Sequence, residues 1–345
     1  MLIVRPVRLE DLERLVELAE LARYGLTSLP KDKELLRKRI VKSLHSFQEM
    51  PDRPGGELYF FVLEDLESGT VAGTALIVSK LGGFEPFYAY RIQTSIHESE
   101  TLQVRKEIQT LNLVAEHSGP SEIGGLFIVP EYRKHGSGRL LSLFRFLFMA
   151  ERAAQFEPLV IAEMRGVVDD NGYSPFWEAI GRHFFDVDYY KADLLSVMDK
   201  RFIADLMPRC PIYVPLLPQE AREVIGKVHE ETKPALKMLQ DEGFKISDMV
   251  DIFEAGPIVH FRLNDIRIVK ESRRSVVEEI TSDPVESVPY IIITTGDDFR
   301  ACIGTVEVRE SGGARVKVET AQALGVNVGD TIRFGPMRPG LQEAS

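Results

Sequence analysis

The chain has 345 residues, 44% hydrophobic and 28% charged, which is enough for two or more domains with real cores. Its formal net charge of −11, with no clustered basic block, excludes a general nucleic-acid binder. The most apolar run, LLSLFRFLFMA, is cut by Arg145 and is too short for a bilayer.

The N-terminus lacks the apolar stretch and cleavage site of a secretory leader. Cys210 and Cys302 lie too far apart to suggest a disulfide framework or a metal knuckle. A cytoplasmic chain with no membrane partner is therefore expected. In chain order, LIVRPV (2–7) is a short β-rich run. It leads into LEDLERLVELAELAR, where Leu12, Leu15, Val16, Ala19 and Ala22 keep helical spacing until Tyr24-Gly25 stops them. Residues 26–30 form a loop and KDKELLRKRIVKSLHSF a second helix. Strands follow at 58–64 and 71–79, set between turns at PDRPGG and ESGT.

Residues 81–121 show no clear period, although FYAYRIQTSI has strand composition. IGGLFIV (123–129) is a strand, 136–156 a helix and 158–166 a strand. A further helix starts at Ser174-Pro175, a capping residue followed by a first-turn proline. MPRCPIYVPLLP is an extended connector before helical QEAREVIGKV and PALKMLQDEGF, and short strands fill the tail beyond about 265. This order predicts a mixed α/β fold divided as 1–200, 201–265 and a β-rich 266–345.

The stretch PEYRKHGSGRLLSLF joins the strand at 123–129 to the long helix. A helix N-terminus presents unpaired N–H groups and partial positive charge, and glycines let an anion approach the backbone. Arg133, Lys134, His135, Gly136, Ser137 and Gly138 are accordingly the expected phosphate-binding segment. The spacing fits neither a Walker loop nor a dinucleotide fingerprint.

Arg-x-x-Gly-x-Gly between a strand and a long helix resembles the GNAT acyl-CoA N-acyltransferase superfamily. PFWEAIGRHFF matches a second feature of that group. Longer blocks, among them LTSLP, YFFVLEDLESGTVAG, VIAEMRGVVDDNGYSPFWEAIGRHFF, ADLMPRCPIY, VIGKVH and DIFEAGP, resemble the bacterial arginine N-succinyltransferase family from about residue 5 to 265. The resemblance implies a GNAT-like mixed sheet with flanking helices, and leaves open a partial second half of that kind. It implies that succinyl is passed from succinyl-CoA, a co-substrate and no resident cofactor, to the α-amine of L-arginine. Ornithine as acceptor, pairing with a related subunit, a homo-oligomer, and a non-catalytic acyl-CoA-binding role stay open.

Within that resemblance, backbone groups of Leu126, Phe127 and Ile128 would pair with the pantetheine arm, with Leu126 the succinyl-CoA contact. These residues serve equally as core strand. The usual GNAT acid, a tyrosine, is replaced here by Trp177, and the family's histidine falls on His229 in VIGKVH. The neighbouring Glu230 and Glu231 are expected to raise its pKa. Tyr173 is the reserve acid. Glu163 and Arg165 lie two apart on a predicted strand and so share a face. They would hold the acceptor's cationic and carboxylate groups, or form an ordinary ion pair. HEETK is not HExxH, so no metal site is expected.

Overall fold

The computed structural model describes residues 1–22, 28–285 and 287–340. The expected helix stop at Tyr24-Gly25 and the start of the 26–30 loop lie outside them. The strands are β1 (Leu2–Pro6), β2 (Leu58–Asp65), β3 (Thr70–Val78), β4 (Gly82–Ser99), β5 (Val104–Ser118), β6 (Ser121–Ile128), β7 (Leu159–Glu163), β8 (Ile212–Tyr213), β9 (Lys245–Val250) and β10 (Pro257–Arg262). Five more follow: β11 (Arg273–Thr281), β12 (Pro289–Thr294), β13 (Ala301–Val308), β14 (Ala314–Lys317) and β15 (Thr331–Pro336).

The central part of the sheet runs β1-β2-β3-β6-β7-β10-β9-β4-β5-β8. Every neighbour in it is antiparallel except β6 and β7. Of β9 and β10, which sequence periodicity did not reveal, β10 sits directly beside β7 and β9 joins it to β4. β12, β15, β11, β14 and β13 continue from β1, and a β12–β13 pairing closes these five into a small barrel.

Helices α1 (Leu12–Leu21) and α2 (Lys33–Glu49) cover one face of β1-β2-β3. The Asp32 side chain starts α2 by accepting from Leu35 N–H at 2.9 Å. α3 (Ser137–Glu151) lies on the other face. Leu140, Leu141, Leu143, Phe144, Phe146, Leu147, Phe148 and Met149 are all buried, so the helix is apolar on every side. That pattern belongs to a helix enclosed by structure, and here the barrel closes over the side turned away from the sheet. Phe299, from the segment between β12 and β13, reaches Phe148 at 5.0 Å and Phe61 at 5.4 Å between ring centroids.

The remaining helices are α4 (Pro175–Ala179), α5 (Gly181–Phe185), α6 (Tyr189–Met198), α7 (Arg201–Leu206), α8 (Gln219–Val224), α9 (Lys233–Asp241), α10 (Arg267–Glu271) and α11 (Val318–Leu324). α4 begins as read from sequence, with Ser174 Oγ accepting from Trp177 N–H at 3.2 Å. Trp177 is buried and stacks on Phe185, and its indole N–H donates to Val187 O. The unread stretch 81–121 is the long β4–β5 hairpin. Its outer part is exposed on both faces and therefore has no inside–outside alternation to detect. No helix among the described residues is long and apolar enough to cross a membrane.

Candidate active site

β6 is distorted where the chemistry is expected. Gly125 takes φ +60, and the β3–β6 register slips between Thr74 and Leu76. Thr74 Oγ1 donates to Gly125 O at 2.8 Å and fixes the bulge. A Cβ at Gly125 would meet Leu76 Cγ at 2.6 Å, so both conformation and space call for glycine.

The parallel strands also part company. β6 and β7 pair only at Ser121–Val160 and Glu122–Ile161, while β7 keeps β10 on its other edge as far as Glu163. Beyond Glu122, the edge of β6 that would face β7 borders a V-shaped cleft of about 1020 Å³. Leu126, Phe127 and Ile128 line it, and so does the whole loop from Arg133 to Gly138.

That loop leaves backbone donors facing the cleft. Arg133 Nε donates to Ile128 O at 2.8 Å, tying the loop to the end of β6. His135 and Gly136 both take positive φ, at 53° and 82°. Gly136 is the N-cap of α3 and has no side chain to spend on its first-turn N–H groups. Ser137 N–H donates to Lys134 O and Leu140 N–H to Gly136 O, which leaves Gly138 and Arg139 as first-turn donors. A Cβ at Gly138 would meet nothing within 4 Å, so the helix end is open to the cleft. A Cβ at Gly136 would press on Met337 and Ile303 of the C-terminal barrel at 3.1 to 3.3 Å.

The opposite wall holds Glu163 and Arg165. They do not share a strand face, because β7 ends at Glu163 and Arg165 stands in the following loop. The Arg165 carbonyl accepts from His229 N–H at 2.8 Å, and its guanidinium faces Glu231 at 3.6 Å. Arg165 Nε is buried without a hydrogen-bond partner. Glu163 reaches the open cleft, yet its carboxyl is held well above the usual range by desolvation and by Glu122, Asp251 and Glu254, with Lys200 opposing. Behind it, Glu254 accepts from Gly166 N–H at 2.7 Å and from the Tyr189 hydroxyl at 2.7 Å. Burial and Asp251 push Glu254 up to about 7.

His229 stands beside this wall and does not itself line the cleft. Nδ1 accepts from Glu231 N–H at 3.2 Å, which leaves Nε2 as the ring nitrogen for proton exchange. An imidazolium cannot accept that bond. Its pKa lies below the ordinary histidine value, through desolvation first and Arg165 second, against the pull of Glu231, Glu230 and Asp170. The rise expected from the two glutamates is thereby corrected. Glu230 pairs with Lys233 and Glu231 with Arg165, so each meets a cation of its own. Tyr173 is exposed, and its hydroxyl donates to Glu220 at 3.2 Å, away from the cleft lining. Burial and Glu220 raise its pKa. Sequence reading missed Arg139 and Arg145 on the same cleft. Arg145 registers in the sequence only as a break in an apolar run.

With this geometry in hand, similarity to known proteins places the chain. The family model described as "Arginine N-succinyltransferase beta subunit" matches residues 2–268, and that of its C-terminal domain matches 272–336. The arginine N-succinyltransferase of Yersinia pestis is 42% identical over 97% of this chain and 97% of its own. An Escherichia coli protein of the same name is 43% identical over 88% of this chain and 85% of its own. The solved structure of arginine/ornithine succinyltransferase subunit AI from Pseudomonas aeruginosa superposes with a TM-score of 0.88 at 36% identity, covering 98% of this chain and 99% of that one. The chain belongs to the arginine N-succinyltransferase family, has a mixed α/β fold, and is an acyltransferase.

Proposed function

We propose that the chain transfers the succinyl group of succinyl-CoA to the α-amine of L-arginine, giving N2-succinyl-L-arginine and CoA. The observation that carries this reading is the cleft itself. An edge of β6 unpaired with β7 runs from an anion-binding helix end to a wall bearing a carboxylate, a guanidinium and a neighbouring histidine. The Gly136–Gly138 turn receives the CoA pyrophosphate, and β6 at Leu126 to Ile128 pairs with the pantetheine arm. The thioester carbonyl then lies against β6 N–H groups that stabilise its oxyanion.

Arg165, with its unpartnered Nε, takes the acceptor's carboxylate, and Glu163 takes its cationic end. The neutral α-amine attacks the thioester carbon and forms the C–N bond. As the C–S bond breaks, His229 gives its proton to the thiolate. The proton shed by the attacking nitrogen then recharges the ring. The same reading places the reaction in the cytoplasm, with small molecules as substrates and assembly with a second or related subunit.

Thiol release from succinyl-CoA tests it, with L-arginine, L-ornithine or no acceptor, beside acetyl-CoA and a His229→Ala variant. Arginine-dependent release that collapses in the variant supports the reading. Equal or faster release with ornithine would move the acceptor. Tight CoA binding without turnover, restored by a related partner, would make the chain one subunit of the working enzyme.

A further inference from the structure

Arg145 lies about two turns into α3, counted from the glycine loop. It is only 2% exposed and sits among Phe144, Phe146 and Leu147. Its Nε donates to Ser142 O at 2.9 Å, Nη2 to Ser142 Oγ at 3.2 Å and Nη1 to Gly124 O at 3.2 Å. Those bonds use three of the guanidinium's five N–H groups and leave two. Among the described residues no carboxylate forms an ion pair with it. The fold treats its other buried arginine differently, pairing Arg5 with Asp11 at 2.8 Å, and even the half-buried Arg267 is paired with Glu242 and Glu271. Burying a guanidinium without a counter-ion is costly, and desolvation alone lowers the pKa of Arg145 to about 9. A strut for one carbonyl does not require that charge.

Its position gives the charge a use. Gly124, whose carbonyl Arg145 holds, is two residues past the last β6–β7 pair at Glu122, so Arg145 stands at the closed end of the cleft. Arg145 lines that cleft with Gly124, Leu126, Ala162 and Met164. β6 runs out from the closed end to the glycine loop, and α3 runs back beside it. A donor seated with its pyrophosphate on the loop therefore points its acyl end toward Arg145. The other cleft guanidiniums stand elsewhere: Arg165 faces Glu231 on the opposite wall, Arg139 faces Asp241 at 3.7 Å, and Arg133 belongs to the glycine loop, its Nε on the Ile128 carbonyl.

We propose that Arg145 is the specificity residue for the acyl donor, receiving the terminal carboxylate of a dicarboxylic acyl chain at the closed end of the cleft. This rests on the reading of succinyl-CoA as donor. The negative end of the chain becomes the counter-ion that the protein does not supply. A neutral acyl chain of the same length leaves the guanidinium buried and unpaired.

The test compares kcat/KM for succinyl-CoA and butyryl-CoA, with L-arginine as acceptor, in the wild-type chain, Arg145→Met and Arg145→Lys. The two donors differ only in a terminal carboxylate against a methyl group. The wild type should favour succinyl-CoA by about 100-fold or more. In Arg145→Met the ratio of the two kcat/KM values should fall by about that factor. Arg145→Lys, which keeps the charge without the fork, should retain part of the preference. A preference unchanged within about 3-fold in Arg145→Met overturns the assignment, and the residue is then a strut for Gly124. Should Arg145→Met fail to fold by circular dichroism, an undiminished preference in Arg145→Lys overturns it instead. A wild type indifferent between the two donors sinks the succinyl-CoA reading itself, a distinct result.

Discussion

Two glycines in one short turn should fail in opposite ways. Gly136 sits at φ +82, where a side chain costs about 1–2 kcal/mol. Its new methyl would also meet Met337 Sδ at 3.1 Å and Ile303 Cδ1 at 3.2 Å. Both are far ends of flexible side chains and can give way, so the backbone penalty dominates. Gly136→Ala should therefore cost about 1–2 kcal/mol of stability and lower Tm by a few degrees. Gly138 has a helical neighbourhood and open space around its Cβ position. Gly138→Ala should be neutral or slightly stabilising, by up to about 1 kcal/mol, because alanine suits a helix better. Its methyl, however, stands where the pyrophosphate must approach, and CoA affinity should fall at least about tenfold, or about 1.4 kcal/mol. Thermal melts and calorimetric CoA titration of both variants decide the matter. Undiminished CoA affinity in Gly138→Ala would remove the phosphate cradle from the site, and an unchanged Tm in Gly136→Ala would refute the strain argument.

Three further outcomes follow from the same geometry. In the role proposed for it His229 must be protonated, and its pKa lies below the usual value, so kcat should fall as pH rises through a point below about 6.5. Arg165→Met should move that inflection upward in a pH–rate profile at saturating substrate. Glu163 is held well above the ordinary carboxylate range, so an arriving guanidinium should drive its proton off. Arginine KM should then improve as pH rises, and calorimetry in buffers of different ionisation enthalpy should detect proton release that Glu163→Gln abolishes. Phe299→Ala empties a site shared by Phe61, Phe144 and Phe148, at a cost of about 3–5 kcal/mol. Chemical denaturation should register it, although the residue lies far along the chain from all three.

What the sequence made legible were positions where one residue type is forced by its backbone. The glycine pair marks a helix that begins with a left-handed residue and an open first turn. Ser174-Pro175 marks a cap. Each can be read because the requirement is local. The far wall could not be read this way. Glu163 and Arg165 look like two residues on one strand face, but β7 stops where β10 claims its last pair, at Ile258–Glu163. The pKa of His229 followed from its sequence neighbours only until the structure gave each glutamate a cation. Arg145 looks like an interruption in a core helix because its carbonyl partner on β6 and the cleft beside it are both tertiary. β9 and β10 escaped notice because neither alternates: β9 is mostly exposed, and β10 passes from buried to exposed along its length.

The all-round apolarity of α3 links these parts. A helix carrying a phosphate site at its N-terminus needs only one buried face, and solvent on the other would let that end fray. Here the barrel occupies the second face, with Ile291, Ile293, Phe299 and Ala301 in the same core as Phe144, Phe146 and Phe148. Met337, just past the last barrel strand, touches the space around Gly136 itself. The turn that would grip the pyrophosphate is therefore clamped between β6, through Arg133 and the Ile128 carbonyl, and the barrel. Preorganisation of this kind lowers the ordering cost of binding. It also gives the C-terminal strands a route to the cleft, through the rigidity of one helix end.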